Sequence, residues 1–378
     1  MSFLLDGIMA ITWQQALMWV IGALLIYLAI MKEMEPALLL PMGFGAILVN
    51  LPFSGALTQQ MAGIGEVTGI LDWMFEVGIH AAEALPLLLF IGIGAMIDFG
   101  PLLSNPKLLF FGAAAQFGIF LTILLACMLG FDLRDAASIG IIGAADGPTS
   151  ILVSQVLNSK YIGAIAVAAY SYMALVPIIQ PFAIKLVTTK KERAIAMPYN
   201  PMKVSKLARI LFPIVVTLVA GLVAPASVSL VGFLMFGNLI RECGVLRSLS
   251  ETAQKELANL ITLVLGITIA ASMKAENFVN VQTLMIMGLG LLAFVFDTVA
   301  GVLFAKIINL FSKNKINPMV GAAGISAFPM SARVVQKLGL EANPQNHLLM
   351  HAVGANVSGQ IASVVAGGVI LALLPGLL

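Results

Sequence analysis

The sequence predicts an all-α polytopic membrane protein, and two observations carry this prediction. The 378 residues are 60% hydrophobic and only 10% charged, and the mean hydropathy is +1.03. A soluble domain carries about 25% charged residues, so this chain has too little polar surface to cover a water-soluble globule. Apolar runs of bilayer-spanning length also recur along the whole chain, which predicts about ten to twelve membrane elements, half-helices included.

The apolar runs divide into long and short ones. Those of spanning length lie at about 12–31, 84–99, 107–130, 162–183, 206–224, 257–273, 281–305 and 348–377. Shorter or interrupted runs, expected to form half-helices or short elements, lie near 36–51, 136–157, 226–240 and 318–336. The first run is too long for the core of a signal peptide and no small-residue cleavage site follows it, so we expect it to be a membrane helix.

A basic connection at 184–209 divides the chain. It holds seven basic residues against the single acid Glu192. The positive-inside rule predicts that this loop is cytoplasmic. The predicted organisation is therefore a first membrane half at 1–183, the basic loop, and a second half at 210–378. The loop is either a topology signal alone or, in addition, a docking surface for an acidic or soluble partner.

Several function classes lack their sequence signals. The net charge of +2 gives no indication of nucleic-acid binding. Cys127 and Cys243 lie in different apolar segments, which argues against a disulfide framework, and His347 and His351 lack the further ligands of a zinc site. No phosphate-binding loop, dinucleotide-binding glycine pattern or nucleophile elbow occurs. The energy source is therefore expected to be an ion gradient or chemistry brought by a partner.

The two halves share a pattern. Residues 143–150 read GAADGPTS and residues 321–331 read GAAGISAFPMS, each inside apolar sequence. Each is followed by a long span rich in small residues, at 164–181 and 351–368. Paired Gly/Pro-interrupted segments at corresponding places indicate a transporter site at the bilayer midplane. The alternative is a chance match of small residues in membrane helices.

The first break carries a carboxylate at bilayer depth, which is expensive and usually functional. Glycine and proline free backbone carbonyls that hydrocarbon does not satisfy. Asp146 supplies a charge, while Thr149 and Ser150 supply neutral oxygens, so the cluster predicts a cation or proton site. The alternative is a kinked packing helix whose aspartate caps a broken end.

The second break offers partners for that site. Asn317 can supply an amide oxygen. Ser326 and Ser331 can each supply a hydroxyl, and Gly321 and Gly324 allow a close approach to the backbone. Arg333 follows and is predicted either to bind an anion or to serve as an ordinary interfacial anchor.

Other intramembrane polar groups allow two interpretations. Tyr172, like Tyr170, needs a hydrogen-bond partner or serves in proton transfer. Asn356, with Ser358 in a small-residue span, is interpreted as a ligand or a site-lining residue rather than a packing residue. Asp297 is either a second cation ligand or a scaffold group bonded to a neighbouring helix, and the scaffold interpretation is favoured.

Six segments of the sequence form an unusual combination of motifs. They are GAADGPTSI (143–151), AVAAYSYMALVPIIQP (166–181), FGNLIRECGV (236–245), FDTVAGVLFAK (296–306), NPMVGAAGISAFPMSARV (317–334) and LEANPQNHLLMHAVGANVSGQIAS (340–363). Together they resemble a known family, the beta subunit of sodium-pumping biotin-dependent decarboxylases. That family serves oxaloacetate, methylmalonyl-CoA, glutaconyl-CoA and malonate decarboxylase complexes. The resemblance covers nearly the whole chain, although the first motif reads Gly-Ala-Ala-Asp where the family often has Gly-Gly-Ala-Asp.

The resemblance implies an activity and its setting. A carboxyltransferase subunit would load biotin on a carrier, and this chain would decarboxylate the carboxybiotin, consume a proton and export sodium. The biotin would be attached to the partner and not to this chain. Expected partners are the carrier and carboxyltransferase, a small membrane-anchoring gamma or delta subunit and further copies of this chain, in the bacterial cytoplasmic membrane. The implied fold has two inverted repeats, with a scaffold and a mobile core that moves like an elevator.

The resemblance also implies residue roles. Asp146 would bind sodium and relay the proton, Tyr172 would assist proton delivery, and Arg333 with Ser326 would face carboxybiotin. Combined with the residue pattern, this gives an expected sodium site without any transition metal. Its predicted ligands are Asp146, Thr149, Asn317, Gly321, Ser326 and Asn356.

One other function fits the same sequence features. A stand-alone sodium- or proton-coupled carboxylate transporter would also need broken helices, an intramembrane acid and an arginine. A purely structural anchor does not explain Asp146 beside Gly147 and Pro148. The sequence does not name the acid substrate, although the short chain favours the acyl-CoA types.

Overall fold

The structure is a computed structural model that describes residues 3–33, 36–61, 65–81, 84–198 and 204–377. The described residues up to Val187 form eleven α-helices, which are α1 Phe3–Met9, α2 Trp13–Met31, α3 Pro36–Val49, α4 Ile70–Phe75, α5 Ala84–Met96, α6 Gly100–Ser104, α7 Leu109–Ala115, α8 Phe117–Met128, α9 Leu133–Gly140, α10 Gly147–Val156 and α11 Ile162–Val187. The remaining helices are α12 Lys190–Arg193, α13 Lys206–Val223, α14 Val228–Cys243, α15 Arg247–Thr252, α16 Ala258–Ile269, α17 Ala275–Phe278, α18 Val281–Phe311, α19 Met319–Ala322, α20 Met330–Ala342 and α21 Leu349–Leu373.

By length and composition, eight helical stretches of the described chain can cross a membrane, or nine if one pair bent by 60° counts as a single span. The multi-pass, essentially all-α prediction is therefore confirmed. The long stretches are Trp13–Met31, Pro106–Met128, Ile162–Val187, Lys206–Val223, Pro225–Cys243, Arg247–Met273, Val281–Phe311 and Leu349–Leu373, and the bent pair is Ile70–His80 with Ala84–Met96.

Two elements differ from the sequence prediction. The run near 226–240 belongs to the full-length span Pro225–Cys243. The polar residues of this span are satisfied by carbonyls at the end of α5 and directly after it: Asn238 Nδ2 donates to Ile97 O at 3.0 Å and Arg241 Nη1 to Met96 O at 2.7 Å. A small antiparallel hairpin, β1 Gln59–Met61 with β2 Gly65–Val67, adds two short strands to the all-α fold.

The first interrupted segment forms a helical hairpin, called hairpin 1 (residues 133–156). Helix α9 continues into a 3₁₀ turn at Ile141–Ala144, and the chain reverses at Ala145, whose φ of +52° is left-handed. Helix α10 then runs back to the level at which α9 began. Asp135 in α9 accepts hydrogen bonds from Ser159 Oγ at 2.8 Å and Lys160 N at 3.1 Å, which ties the two open ends together.

The second interrupted segment forms hairpin 2 (residues 319–342), in which α19 and α20 flank a break at 323–329. Its two ends are held by one connection. Asn317 Nδ2 donates to Arg193 O at 2.8 Å and Ile195 O at 2.9 Å, and Asn346 Nδ2 donates to Ile195 O at 2.9 Å. The base of hairpin 2 therefore lies against the basic loop.

The hairpins enter the protein from opposite ends. Helix α11 has 26 residues, which at about 1.5 Å per residue corresponds to roughly 39 Å. It starts directly after the base of hairpin 1. Its other end reaches the base of hairpin 2, where Lys185 Nζ lies 3.8 Å from Glu341 Oε2. Consequently the two tips point toward each other in the interior.

Helix α18 packs against both hairpins. Gly301 and Gly321 lie in direct backbone contact, since a Cβ on either would lie within 2.1 Å of the other's carbonyl oxygen. Gly143 of hairpin 1 packs against Ala293 and Asp297 of the same helix. Only small residues permit helices to approach so closely in a membrane protein, so α18 holds the two tips in register.

Candidate functional site

Asp146 is the buried carboxylate at the tip of hairpin 1. It is the N-cap residue of α10, and Thr149 N donates to its Oδ1 at 3.3 Å. The residue is only 4% exposed. The positive end of the α10 dipole favours a negative charge at this position. The capping function considered from the sequence is thus present, and it uses only one of the two carboxylate oxygens.

The other oxygen, Oδ2, accepts hydrogen bonds from hydroxyl groups on three separate elements. Thr149 Oγ1 of α10 lies at 2.8 Å, Ser326 Oγ of the second break at 3.1 Å and Ser363 Oγ of α21 at 2.7 Å. Ser326 N also donates to Ala144 O at 3.0 Å. The tips of both hairpins and α21 therefore meet at Asp146.

Helix α21 holds the tip of hairpin 2 through two amide side chains. Asn356 Nδ2 donates to Ile325 O at 2.7 Å, and Gln360 Nε2 donates to Ser326 O. Gly359, between them, allows α21 to contact the carbonyls of the break directly. The Oδ1 atom of Asn356 is buried and has no hydrogen-bond partner among the described residues, which leaves a carbonyl oxygen for a ligand.

Two predicted sodium ligands lie elsewhere. Asn317 uses its amide group at the base of hairpin 2, since Nδ2 binds the connection and Oδ1 accepts from Met319 N at 3.1 Å. The backbone of Gly321 packs directly against Gly301 of α18. The structure therefore brings Asp146, Thr149 and Ser326 together, while neither Asn317 nor Gly321 contacts this cluster in the described chain.

The two tyrosines of α11 face different elements. Tyr172 OH donates to Met287 O of α18. Tyr170 covers the start of α10, since a Cβ on Gly147 would lie 2.4 Å from its ring. Residues two apart on a helix point in different directions. The tyrosine against the helix of Asp146 is therefore Tyr170, whereas Tyr172 was the residue predicted to deliver a proton.

Arg333 is exposed and lines a cleft of about 390 Å³ between α11 and α20. The cleft lies at the end of the molecule that carries the basic loop, which is called the basic end. Lys185, Lys337 and Glu341 also line this cleft, and Pro177 contributes to an apolar wall. Among the described residues, Arg333 makes no ion pair, so its guanidinium is available to an anion.

The basic loop next to this cleft contains an ordered acid. Glu192 Oε2 accepts from Thr189 N at 2.7 Å, and Oε1 lies 2.9 Å from Lys306 Nζ. Burial alone would raise the pKa of Glu192, but the hydrogen bonds from Thr189 and Lys306 outweigh it and hold the pKa below its ordinary value. Glu192 is therefore ionised at neutral pH and anchors the loop to α18.

Sequence reasoning missed Ser363 and Gln360. On α21, Gln360 lies four residues and Ser363 seven residues after Asn356, and such spacings place side chains on one helix face. A polar stripe at these positions in an otherwise apolar span was the available signal.

The cluster has the chemistry of a site for a small hard cation. One carboxylate and three hydroxyls meet at Asp146, and they are oxygen ligands with a single negative charge. The amide oxygen of Asn356, on the same face of α21 as Ser363, is a further oxygen without a partner among the described residues. In the ranges that the structure describes, no three His, Cys, Asp or Glu side chains are grouped to hold a metal ion. The same carboxylate can alternatively accept a proton.

Comparison with known proteins identifies the family. The family described as "Na+-transporting oxaloacetate decarboxylase beta subunit" matches residues 14–374. The chain belongs to this family.

Relatives from several complexes cover nearly the whole chain. The methylmalonyl-CoA decarboxylase subunit beta of Propionigenium modestum is 50% identical, with 94% of each chain covered. The glutaconyl-CoA decarboxylase subunit beta of Acidaminococcus fermentans is 47% identical (98% of this chain, 96% of the relative), and the oxaloacetate decarboxylase beta chain of Klebsiella pneumoniae is also 47% identical (97% and 96%). The family resemblance expected from the motifs is thereby confirmed.

Proposed function

We propose that this chain decarboxylates carboxybiotin delivered by a partner and couples that reaction to sodium export. The observation that carries the proposal is the meeting of two opposing hairpin tips at the carboxylate of Asp146. The family described as sodium-transporting supports sodium as the ion. Sodium would bind Asp146 with the hydroxyls of Thr149, Ser326 and Ser363 and the amide oxygen of Asn356.

The proton and the ion compete for one carboxylate. Decarboxylation converts the N–COO⁻ group of carboxybiotin into N–H and CO₂, which consumes one proton. A positive ion and a proton cannot both occupy the same oxygens of Asp146, so protonation expels sodium. The direction of release then depends on which side of the membrane the cluster faces.

The cleft at Arg333 is the proposed binding place for the headgroup of carboxybiotin. Arg333 and Lys337 would attract the carboxylate, while Pro177 and its apolar neighbours would contact the bicyclic ring. Arg333 lies seven residues after Ser326 on the same hairpin, so occupation of the cleft and occupation of the ion cluster act on one structural element. Tyr172 and Asn317 remain proposed contributors to proton delivery and to the sodium path.

The opposed hairpins support a mobile core built from inverted repeats. In transporters with that arrangement, discontinuous helices carry the site and one unit moves against another. The biotin carrier, with its carboxyltransferase, would approach the basic end, where the loop supplies positive charge for an acidic surface. A small membrane-anchoring subunit and further copies of this chain would complete the complex in the bacterial cytoplasmic membrane.

The proposal is tested by decarboxylation of free carboxybiotin by the purified chain, with and without sodium. We expect sodium to stimulate the wild-type chain and to have no effect on Asp146→Asn, which keeps the helix cap but loses the charge. Asp98→Asn, at a half-buried ion pair with Arg209 away from the Asp146 cluster, is the control and should retain sodium stimulation.

The stand-alone carboxylate transporter gives a different result in the same samples. It predicts no decarboxylation of free carboxybiotin by either chain, together with sodium-dependent uptake of a carboxylate into vesicles. Such uptake without decarboxylation would replace the pump proposal with the carrier.

A further inference from the structure

Gln180 is a buried polar residue of α11 to which the proposed pump assigns no role. Its side chain is fully buried. Its Nε2 atom donates to Ala322 O at 2.8 Å and to Ser331 Oγ at 2.6 Å. Ala322 is the last residue of α19, and Ser331 lies in the first turn of α20. One amide group therefore bridges the two ends of the break that carries Ser326.

Stability alone does not explain a glutamine at this position. The carbonyl of Ala322 also accepts from Ser331 Oγ at 3.3 Å, so it does not depend on Gln180 for a donor. The Oε1 atom of Gln180 is itself buried and has no hydrogen-bond partner among the described residues. A buried acceptor without a donor destabilises a protein, and an apolar side chain of similar size would avoid that loss. The bridge across the break therefore indicates a function other than stability.

The bridge lies beside the cleft at Arg333. Pro177 and Pro181 of α11 line one wall of this cleft, and Arg333 of α20 lines the other. Gln180 lies between the two prolines in sequence, and Ser331 is two residues before Arg333. The hydrogen bond between Gln180 and Ser331 therefore joins the two walls of the cleft.

The two prolines allow this part of α11 to bend. Proline has no backbone N–H group, so Pro177 and Pro181 each remove one hydrogen bond from the helix. Helices bend at such positions. A ligand that binds between the walls therefore displaces α11 most easily at the level of Gln180, and the bridge passes that displacement to the ends of the break.

We propose that Gln180 is a positioning residue that couples the cleft at Arg333 to the ion cluster at Asp146. The bridge holds both ends of the break, and Ser326 in that break donates to Asp146 Oδ2 at 3.1 Å. Movement of the cleft walls thus moves one oxygen of the cluster. The inference rests on the proposed carboxybiotin and sodium sites, and its consequence is that each ligand changes the affinity for the other.

The test is decarboxylation of free carboxybiotin by the purified full-length chain, measured while the sodium and carboxybiotin concentrations are both varied. For the wild-type chain, we expect the sodium concentration for half-maximal activity to differ at least about five-fold between low and saturating carboxybiotin, which is the lower limit of typical coupling between two sites. Gln180→Met keeps the size of the side chain but has no donor, so the two sodium concentrations should become equal. Ser331→Ala removes the bridge from the side of hairpin 2 and should have the same effect.

Thr268→Val is the control. The hydroxyl of Thr268 is also buried in a membrane span, but it bonds within its own helix, to Val264 O at 2.6 Å. This variant should keep the difference of the wild-type chain, and loss of the difference here as well would overturn the inference.

A purely structural role for Gln180 gives a different result. It predicts that Gln180→Met lowers the thermal unfolding midpoint or shifts the sodium requirement equally at both carboxybiotin concentrations, and a retained difference between the two would overturn the inference. An equal sodium requirement at both concentrations in the wild-type chain would also overturn it, while leaving the pump intact. If Gln180→Met does not fold, Ser331→Ala decides by the same criterion. A wild-type chain that does not decarboxylate free carboxybiotin would instead contradict the proposed function.

Discussion

The carboxylate of Asp146 has a structural role as a helix cap, and we propose that the same carboxylate binds the transported ion. Its Oδ1 satisfies the start of α10, as aspartate does at many helix ends. Its Oδ2 accepts hydrogen bonds from hydroxyls on three different elements, and two of them, Ser326 and Ser363, are distant from Asp146 in sequence. A simple cap would not need this second group of contacts, which explains why we assign the ion to this atom.

Ser363 provides a direct test at the scale of one residue. Ser363→Ala removes a neutral oxygen from the cluster, and a loss of about 1.4 kcal/mol, near the upper end of the range for a typical hydrogen bond, corresponds to a factor of about ten in affinity. We therefore expect the sodium concentration for half-maximal decarboxylation to rise about ten-fold. Kinetics against sodium concentration, at saturating carboxybiotin, measure this effect.

Ser154→Ala is the matched control, because Ser154 lies in the hairpin of Asp146 but its hydroxyl, among the described residues, bonds only to Ser150 O, at 2.7 Å. It should leave the sodium dependence unchanged. Equal sodium curves for the two alanine variants would remove Ser363 from the site.

The sequence predicted a site residue correctly only where that residue lies in one of the two interrupted motifs. Asp146, Thr149 and Ser326 lie in the two interrupted motifs, and the structure places them in contact. Ser363 carried no such motif, and its position depends on how α21 packs between the hairpins. Asn317 was grouped with the ion ligands because it can supply an amide oxygen in the second motif. In the structure its amide closes the base of hairpin 2, and its part in the sodium path stays a prediction.

At the scale of the elements, α18 positions both hairpins through glycine contacts. Gly301 and Gly321 touch through their backbones, so even a methyl group must displace one helix. Overpacking of this kind typically costs about 1–3 kcal/mol. We expect Gly301→Ala to lower the thermal unfolding midpoint and the activity together, measured on detergent-solubilised protein.

Gly288→Ala is the control on the same helix, where a Cβ meets no atom within 4 Å. Alanine there should leave the midpoint unchanged or slightly raise it, because glycine is a poorer helix former by about 0.5–1 kcal/mol. A similar fall of the unfolding midpoint in both variants would show that the close contact between α18 and α19 does not cause the loss of stability.

The basic loop is expected to depend on pH through Glu192. Its pKa is lowered in the folded protein, so the stability it contributes is present above its ordinary pKa of 4.5 and is lost as the pH falls through the folded value. We expect a nitroxide at Lys191→Cys to become more mobile below about pH 4.5, measured by electron paramagnetic resonance.

The comparison variant for the loop is Glu192→Gln. It should show higher mobility of the nitroxide at neutral pH and a smaller change on acidification, since the contact with Lys306 loses its charge. A wild-type loop whose mobility does not change with pH would contradict this assignment.

At the scale of the whole molecule, the hairpins should open to opposite sides of the membrane. Lys160 is exposed at the base of hairpin 1, and Lys337 is exposed near the base of hairpin 2. In a background with Cys127 and Cys243 replaced by serine, a membrane-impermeant maleimide should label Lys337→Cys from the cytoplasmic side and Lys160→Cys from the other. Labelling of both from one side would contradict the opposed arrangement.

The sequence predicted the helical, multi-pass class of the protein but not how its hairpins meet. Composition and run length identified a multi-pass helical protein, because hydrocarbon imposes one simple requirement on every span. The length of the span that contains the run near 226–240 was underestimated, since Asn238 and Arg241 lower its hydropathy but donate to backbone carbonyls at the end of α5 and directly after it. The contact of the two tips depends on long-range packing around α18 and α21, which periodicity alone does not encode.

The most direct test of the pump is ion movement driven by the chemical reaction. The purified chain is reconstituted in vesicles with its basic end outward, and carboxybiotin is added outside in the presence of ²²Na⁺. We predict that the wild-type chain accumulates ²²Na⁺ inside as CO₂ is released, whereas Asp146→Asn accumulates none. Release of CO₂ by the wild-type chain without sodium uptake, or equal uptake by Asp146→Asn, would contradict the coupling of decarboxylation to sodium at Asp146.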